Sequence, residues 1–173
     1  MIKQSIQIIM PRRSRVIKRP KISADRIFNS LLVSRLVNRV MWDGKKTIAN
    51  KIVIQAMTKA SEDLKIAPLE LLETAVANVK PVIEVKSVRV GGANYQVPIE
   101  PYEARALRLA LTWITDSARN MKGKPMDEKL RQVLAEAYKG EGVAVAKRNS
   151  VHQTAAGNRA YAHLAMRIGR KKN

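Results

Sequence analysis

From residue 27 to residue 137 apolar side chains recur every three to four positions, with one long stretch of different grammar over residues 82–99. A chain patterned this way has to fold as amphipathic helices that bury their stripes against one another. Ile27, Phe28, Leu31, Leu32, Leu36, Val37, Val40 and Met41 predict a first helix from Ser23 or Asp25 to Met41, ended by Asp43-Gly44. Asp25 suits its N-terminus, where a carboxylate complements the helix dipole. Ile48, Ile52, Ala56, Ala60 and Leu64 predict a second helix over 45–65. Pro68 opens a third, since its missing N–H costs nothing in a first turn. Leu71, Leu72, Ala75, Val76 and Val79 form its inner stripe, and Pro81 stops it. Helical spacing resumes after Pro101, through Leu107, Leu111, Trp113, Ile114 and Ala118. A fifth helix is expected over Met126–Lys139 with Gly140 as its C-cap, and an Ala-rich sixth from Ala144 to about His163.

The interruption is rich in β-branched residues. Val82–Val90 and Tyr95–Ile99 flank Gly91-Gly92-Ala93-Asn94, which reads as a β-hairpin closed by a glycine turn. The expected architecture is therefore mainly α: a single domain of about six helices over 23–163, with an inserted, protruding β-hairpin. A basic arm, 1–22, precedes it and a basic tail, 164–173, follows. One Phe, two Trp and four Tyr leave the core to Leu, Ile, Val, Ala and Met.

Charge is concentrated at the ends. The net charge is +19, from 33 Lys and Arg against 14 Asp and Glu. Residues 1–21 carry Lys3, Arg12, Arg13, Arg15, Lys18, Arg19 and Lys21 with no acid. Residues 142–173 carry Lys147, Arg148, Arg159, Arg167, Arg170, Lys171 and Lys172, again with no acid. A surface made basic for solubility would mix the signs, whereas acid-free ends suit a phosphate backbone. The chain has no cysteine, which removes disulfides, thiolate metal sites and thiol nucleophiles. No run reaches the ~18 apolar residues of a membrane span, so no membrane partner is expected. Residues 1–9 read as a short extension before Met10.

Catalytic chemistry finds no support. Gly44-Lys45-Lys46-Thr47 is the nearest thing to a phosphate-binding loop. Such a loop needs Gly where Arg39 stands and Ser or Thr where Lys46 stands. The plainer use of Lys45 and Lys46 is to meet a phosphate at a helix start, where free N–H groups already favour anions. His152 and His163 are three helical turns apart, ~16 Å, too far to share a metal ion. No acid follows Glu141 to complete a site. No enzyme activity, cofactor or metal is expected.

Two surfaces remain. Arg148, His152, Ala155 and Arg159 lie at i, i+4, i+7 and i+11 of the sixth helix, hence on one face. Either small Ala155 lets that face approach RNA closely, or the stripe is simply solvated. The hairpin carries Lys86 and Arg89 against Glu84, and is either a structural clip or a ribbon that reaches into a groove. Tyr95 could stack on a base or pack across the strand pair.

At this point the residues resemble a known family. Met10-Pro11-Arg12-Arg13, Asp43-Gly44-Lys45-Lys46, the run from Val85 to Glu100, Ala110-Leu111-Thr112-Trp113-Ile114, and Val151-His152 followed by Ala155, Asn158, Ala160 and Ala162-His163 are similar, in family order, to ribosomal protein seven of the bacterial-type small subunit. The resemblance covers about residues 10–165. It implies a six-helix fold with a protruding hairpin and direct binding to the 3′ major domain of small-subunit rRNA. It also implies nucleation of head assembly. The hairpin would face the exit-site tRNA and the mRNA exit path and touch the neighbouring eleventh small-subunit protein. Carried over by position, the rRNA-facing residues would be Arg12, Arg13, Arg15, Lys18, Arg19, Lys21, Lys45, Lys46, Arg105, Arg108, Lys147, Arg148, His152, Asn158 and Arg159. On the hairpin they would be Lys86, Arg89, Gly91, Gly92, Asn94, Tyr95 and Gln96, facing rRNA or tRNA. Val88, Asn120-Met121, Asn149-Ser150 and Gln153 depart from the family pattern. With the residues before Met10 they leave a bacterial and an organellar ribosome both open. A competing class, a DNA-architectural protein with a basic β-ribbon, would need an apolar wedge that the Gly-Gly tip does not offer.

Overall fold

The computed structural model describes residues 22–165. They form α1 (Leu31–Val40), α2 (Lys46–Leu64), α3 (Pro68–Val79), β1 (Glu84–Val90), β2 (Ala93–Ile99), α4 (Glu103–Asn120), α5 (Met126–Tyr138) and α6 (Gly142–Gly157). A 3-10 helix, Arg159–Leu164, completes the order. The expected mainly α fold with one inserted hairpin is found. The basic arm and most of the basic tail lie outside the described residues.

α5 is the centre of the bundle and packs against α2, α3, α4 and α6. Its Leu130, Val133, Leu134 and Ala137 join Leu36 and Val37 of α1, Val53 and Met57 of α2, Leu71, Leu72 and Val79 of α3, and Ala110, Leu111 and Ile114 of α4 in one apolar cluster. The cluster is aliphatic, as the scarcity of aromatics requires; Phe28, Trp113 and Tyr138 sit half-buried at its margin. Thr115 is buried and satisfies its hydroxyl on the Leu111 carbonyl at 2.8 Å.

Two helix ends differ most from the sequence reading, and the strands begin at Glu84 and Ala93 rather than at Val82 and Tyr95. α1 starts at Leu31, not near Asp25. Asp25 caps a separate turn instead, its carboxylate accepting from the N–H groups of Ile27 and Phe28 at 3.0 and 3.2 Å. Asn29 then takes a left-handed conformation (φ 47°), and the Ser30 hydroxyl accepts from Leu32 N–H as the true N-cap. The sixth helix ends at Gly157 rather than continuing to His163. The Asn158 side chain and backbone N–H both donate to the Thr154 carbonyl, and the chain tightens into the 3-10 helix.

The junction of α5 and α6 is closed by Gly140 (φ 79°), with Glu141 N–H on the Glu136 carbonyl and Gly140 N–H on the Ala137 carbonyl. That paired arrangement satisfies the last carbonyls of α5. A second device reinforces it. The Asn78 amide, at the end of α3, donates to the carbonyls of Ala137 and Tyr138 at 3.0 and 2.9 Å.

The hairpin is antiparallel, with Arg89 opposite Asn94 and Val90 opposite Ala93. The turn therefore has two residues, Gly91 and Gly92, both at positive φ (58° and 91°). Glycine adopts that geometry without strain, and it matches the twist of the strands. The tip is exposed, while the base rests on α6 and the 3-10 helix and buries Val97 completely.

Candidate nucleic-acid interface

A basic side chain is freest to serve a phosphate where its charge is not already matched inside the protein. The described ion pairs are Lys59–Asp127 (2.8 Å), Arg131–Asp63 (2.5 Å), Lys80–Glu103 (2.8 Å) and Arg105–Glu84. The first two tie α2 to α5. The Lys59 ammonium lowers the Asp127 carboxyl below its ordinary value chiefly by hydrogen bonding. Arg105 binds Glu84 through two nitrogens and so clamps α4 to β1. That contact lowers the Glu84 carboxyl and raises the Arg105 guanidinium. Arg105, expected to face rRNA, holds the hairpin base while its side chain stays partly exposed.

The stripe expected on the sixth helix is also split. Arg148 donates to the Asn78 carbonyl and to the Asn149 side chain. The His152 Nε2 accepts the Val82 N–H at 3.2 Å, and Ala155 is buried. This face docks α6 on the protein's own α3 end and hairpin base, so the close approach that Ala155 permits is to protein. Arg159 is left exposed, beside a groove shared with Ile99 and Ala162. Asn158 works as a helix cap, with its amide on the Thr154 carbonyl at 2.8 Å.

What remains is a set of cations without a carboxylate. Among the described residues Lys45, Lys46, Lys86, Arg89, Arg108, Lys147 and Arg159 are all exposed and form no ion pair. Residues 1–21 and 166–173 hold no Asp or Glu side chain that could neutralise them. Lys45 and Lys46 stand at the start of α2, which has no side-chain cap. Arg12, Arg13, Arg15, Lys18, Arg19 and Lys21 lie outside the described residues.

The register sorts the hairpin by face, because cross-strand partners share a side. Ser87, Arg89, Asn94 and Gln96 form one exposed polar face. Val88, Tyr95 and Val97 form the other, and Tyr95 packs on Tyr161 of the 3-10 helix with ring centroids 5.1 Å apart. Tyr95 lies opposite Val88 across the strand pair and, through Tyr161, fastens the ribbon to the body. Lys86 belongs to the Tyr95 side by register but is itself exposed. Gly91 and Gly92 shape the tip.

The sequence reading passed over Arg35 and Arg39. With Asn38 they face Arg108 across a cavity between α1 and α4, and no acid lines it. Their signal was the i, i+4 spacing of two arginines on the polar side of α1. Arg119 was also passed over; it donates to the carbonyls of Arg39 and Val40 and lies 5.2 Å over the Trp42 ring, capping α1. Among the described residues no three His, Asp or Glu side chains are grouped to hold a metal ion, and no helix is long and apolar enough to cross a membrane.

A surface of exposed cations and hairpin amides meets a family pattern that spans most of the chain. The model of ribosomal protein S7p/S5e matches residues 11–159. The chain belongs to this family. The small ribosomal subunit protein uS7 of Thermosipho melanesiensis is 54% identical over 144 residues, 83% of this chain and 93% of that protein. That of Thermotoga maritima is 53% identical over 152 residues, 88% and 97% of the two chains. That of Kosmotoga olearia is 51% identical over 153 residues, 88% and 98%. The S7p/S5e family is one of ribosomal proteins, structural rather than catalytic, which agrees with the absence of a catalytic pattern in the sequence.

Proposed function

We propose that this chain is a structural constituent of the small ribosomal subunit that binds the 3′ major domain of its rRNA directly and nucleates assembly of the head. In this reading the polar hairpin face lies near the exit-site tRNA and the mRNA exit path, beside the eleventh small-subunit protein. The observation that carries it is the set of exposed cations that form no ion pair among the described residues. A polyanion is the partner such a surface lacks. The bacterial relatives favour a bacterial ribosome over an organellar one.

The test is a salt titration of binding to a transcript of the rRNA 3′ major domain. Each phosphate neutralised should contribute roughly −0.7 to −0.9 to the slope of log K against log salt. Arg89→Ala, Arg108→Ala and removal of residues 1–21 should each weaken binding and flatten that slope. Equal affinity for the transcript and for duplex DNA at the same salt would overturn the reading in favour of a DNA-binding protein.

A further inference from the structure

The cavity between α1 and α4 has a volume of about 350 Å³. That falls within the ~300–1,000 Å³ of sites that take a whole small ligand. Its apolar lining is Leu107, half-buried, and Leu111, nearly fully buried, with Ala104 and the exposed Ile22. Its walls are Arg35, Arg39 and Arg108, with Asn38 between the first two. An apolar floor suits a flat, weakly hydrated group. Three guanidinium groups without a carboxylate repel one another and call for an anion. The amide of Asn38 can both donate and accept, as needed to read the edge of a base. Residues 1–21 offer the cavity no anion and no aromatic ring, for they contain six Lys and Arg between residues 12 and 21 and no acid.

We propose that this cavity takes one unstacked nucleotide of RNA, with its base on the Leu107–Leu111 floor and its flanking phosphates on Arg35, Arg39 and Arg108. The inference rests on the RNA-binding reading above and deepens it, because phosphate contacts alone position RNA without selecting it. A base drawn from its stack into a shaped cavity is how proteins select single-stranded bulges and junctions. The α1–α4 cleft then adds sequence preference, while its arginines share the salt-dependent attraction with the cations of the hairpin and α2.

The full-length chain is labelled at its Ile and Leu methyl groups and titrated with the transcript of the rRNA 3′ major domain. An inserted base shifts the Leu107 methyl resonances upfield by its ring current. Residues 1–21 cannot imitate this, since they carry no aromatic ring. Ala104 is exposed on α4, so Ala104→Phe fills the cavity from its rim without touching the core. It should melt like the wild type and weaken binding at least tenfold. Arg35→Gln and Arg39→Gln should weaken binding and flatten the slope. If the wild type binds but Leu107 does not shift and Ala104→Phe binds equally well, the cavity is merely part of a phosphate-facing groove and the proposal is wrong. If the wild type does not bind the transcript at all, the RNA-binding reading fails and this proposal with it.

Discussion

Gly142 shows how narrowly a single position can be constrained. Its φ is +87°, and an added Cβ would lie 2.5 Å from Oε2 and 2.9 Å from Cβ of Glu136. The carboxylate could swing away, but the Glu136 Cβ is fixed on α5. Gly92 has a similar φ, +91°, with nothing within 4 Å. Left-handed backbone costs a non-glycine residue roughly 1–2 kcal/mol. Gly92→Ala should lose about that much and Gly142→Ala clearly more, as read from urea midpoints of the two variants. Arg148 and Arg159 form a second contrast. Arg148→Ala deletes a charge-assisted bond to the Asn78 carbonyl and should cost roughly 1.5–3 kcal/mol. Arg159→Ala should change stability by less than ~0.5 kcal/mol and weaken binding to rRNA. Equal melting of the two variants would mean that the Arg148 contact contributes nothing. The Glu84–Arg105 pair brings in pH. The Glu84 carboxyl is held below its ordinary value of 4.5 by Arg105, so its stabilisation is present above that value and is lost as pH falls through the lowered one. Because the Arg105 side chain is well exposed, screening limits the pair to roughly 1 kcal/mol. Glu84→Gln should therefore be less stable than the wild type at pH 7, with the difference vanishing in acid.

Among the elements, the hairpin depends on what lies behind it. A lone pair of strands is marginal in water, and here Val97 and Tyr95 gain their burial from α6 and the 3-10 helix. A double-mutant cycle of Tyr95→Ala and Tyr161→Ala should give a coupling of roughly 0.5–1.5 kcal/mol. Faster amide exchange along β2 in Tyr161→Ala should accompany it, and zero coupling would mean that the rings touch without holding the ribbon. Most elements were legible in advance. α2, α3 and α5 fall within a residue of the boundaries that their apolar stripes predict. α1 did not, because Phe28 and Ile27 continue a helical pattern that the Asp25 turn and Asn29 interrupt locally. α6 was overextended because an Ala-rich helix has no apolar stripe to mark its end. The inward role of Arg148 and His152 was hidden for the same reason: charged residues carried the only visible periodicity. The faces of the hairpin were readable in principle. Taking Gly91–Asn94 as the turn concealed them, whereas a two-residue Gly-Gly turn pairs Arg89 with Asn94 and sends Tyr95 to the opposite side.

For the molecule as a whole, the buried residues that hold the fold together are distinct from the exposed cations proposed to meet RNA. Leu36 is fully buried in the cluster that joins the helices, so Leu36→Ala should cost ~2–5 kcal/mol. At temperatures where the variant remains folded, its affinity for rRNA should match the wild type; a loss there would tie the core directly to the interface. Asn78 adds a matter of timing. It joins three parts of the chain, since its amide bonds the end of α5 and its carbonyl receives Arg148 of α6. These partners lie 59 to 70 residues further along the chain. At roughly 5–20 residues per second of synthesis, the end of α3 waits several seconds for them to emerge. In that interval α1, α2 and α3 lack α5, and the hairpin lacks the helix it rests on. The nascent chain thus has its basic arm and most of its helices before it has a finished core, and the bundle closes only when the last third of the protein arrives.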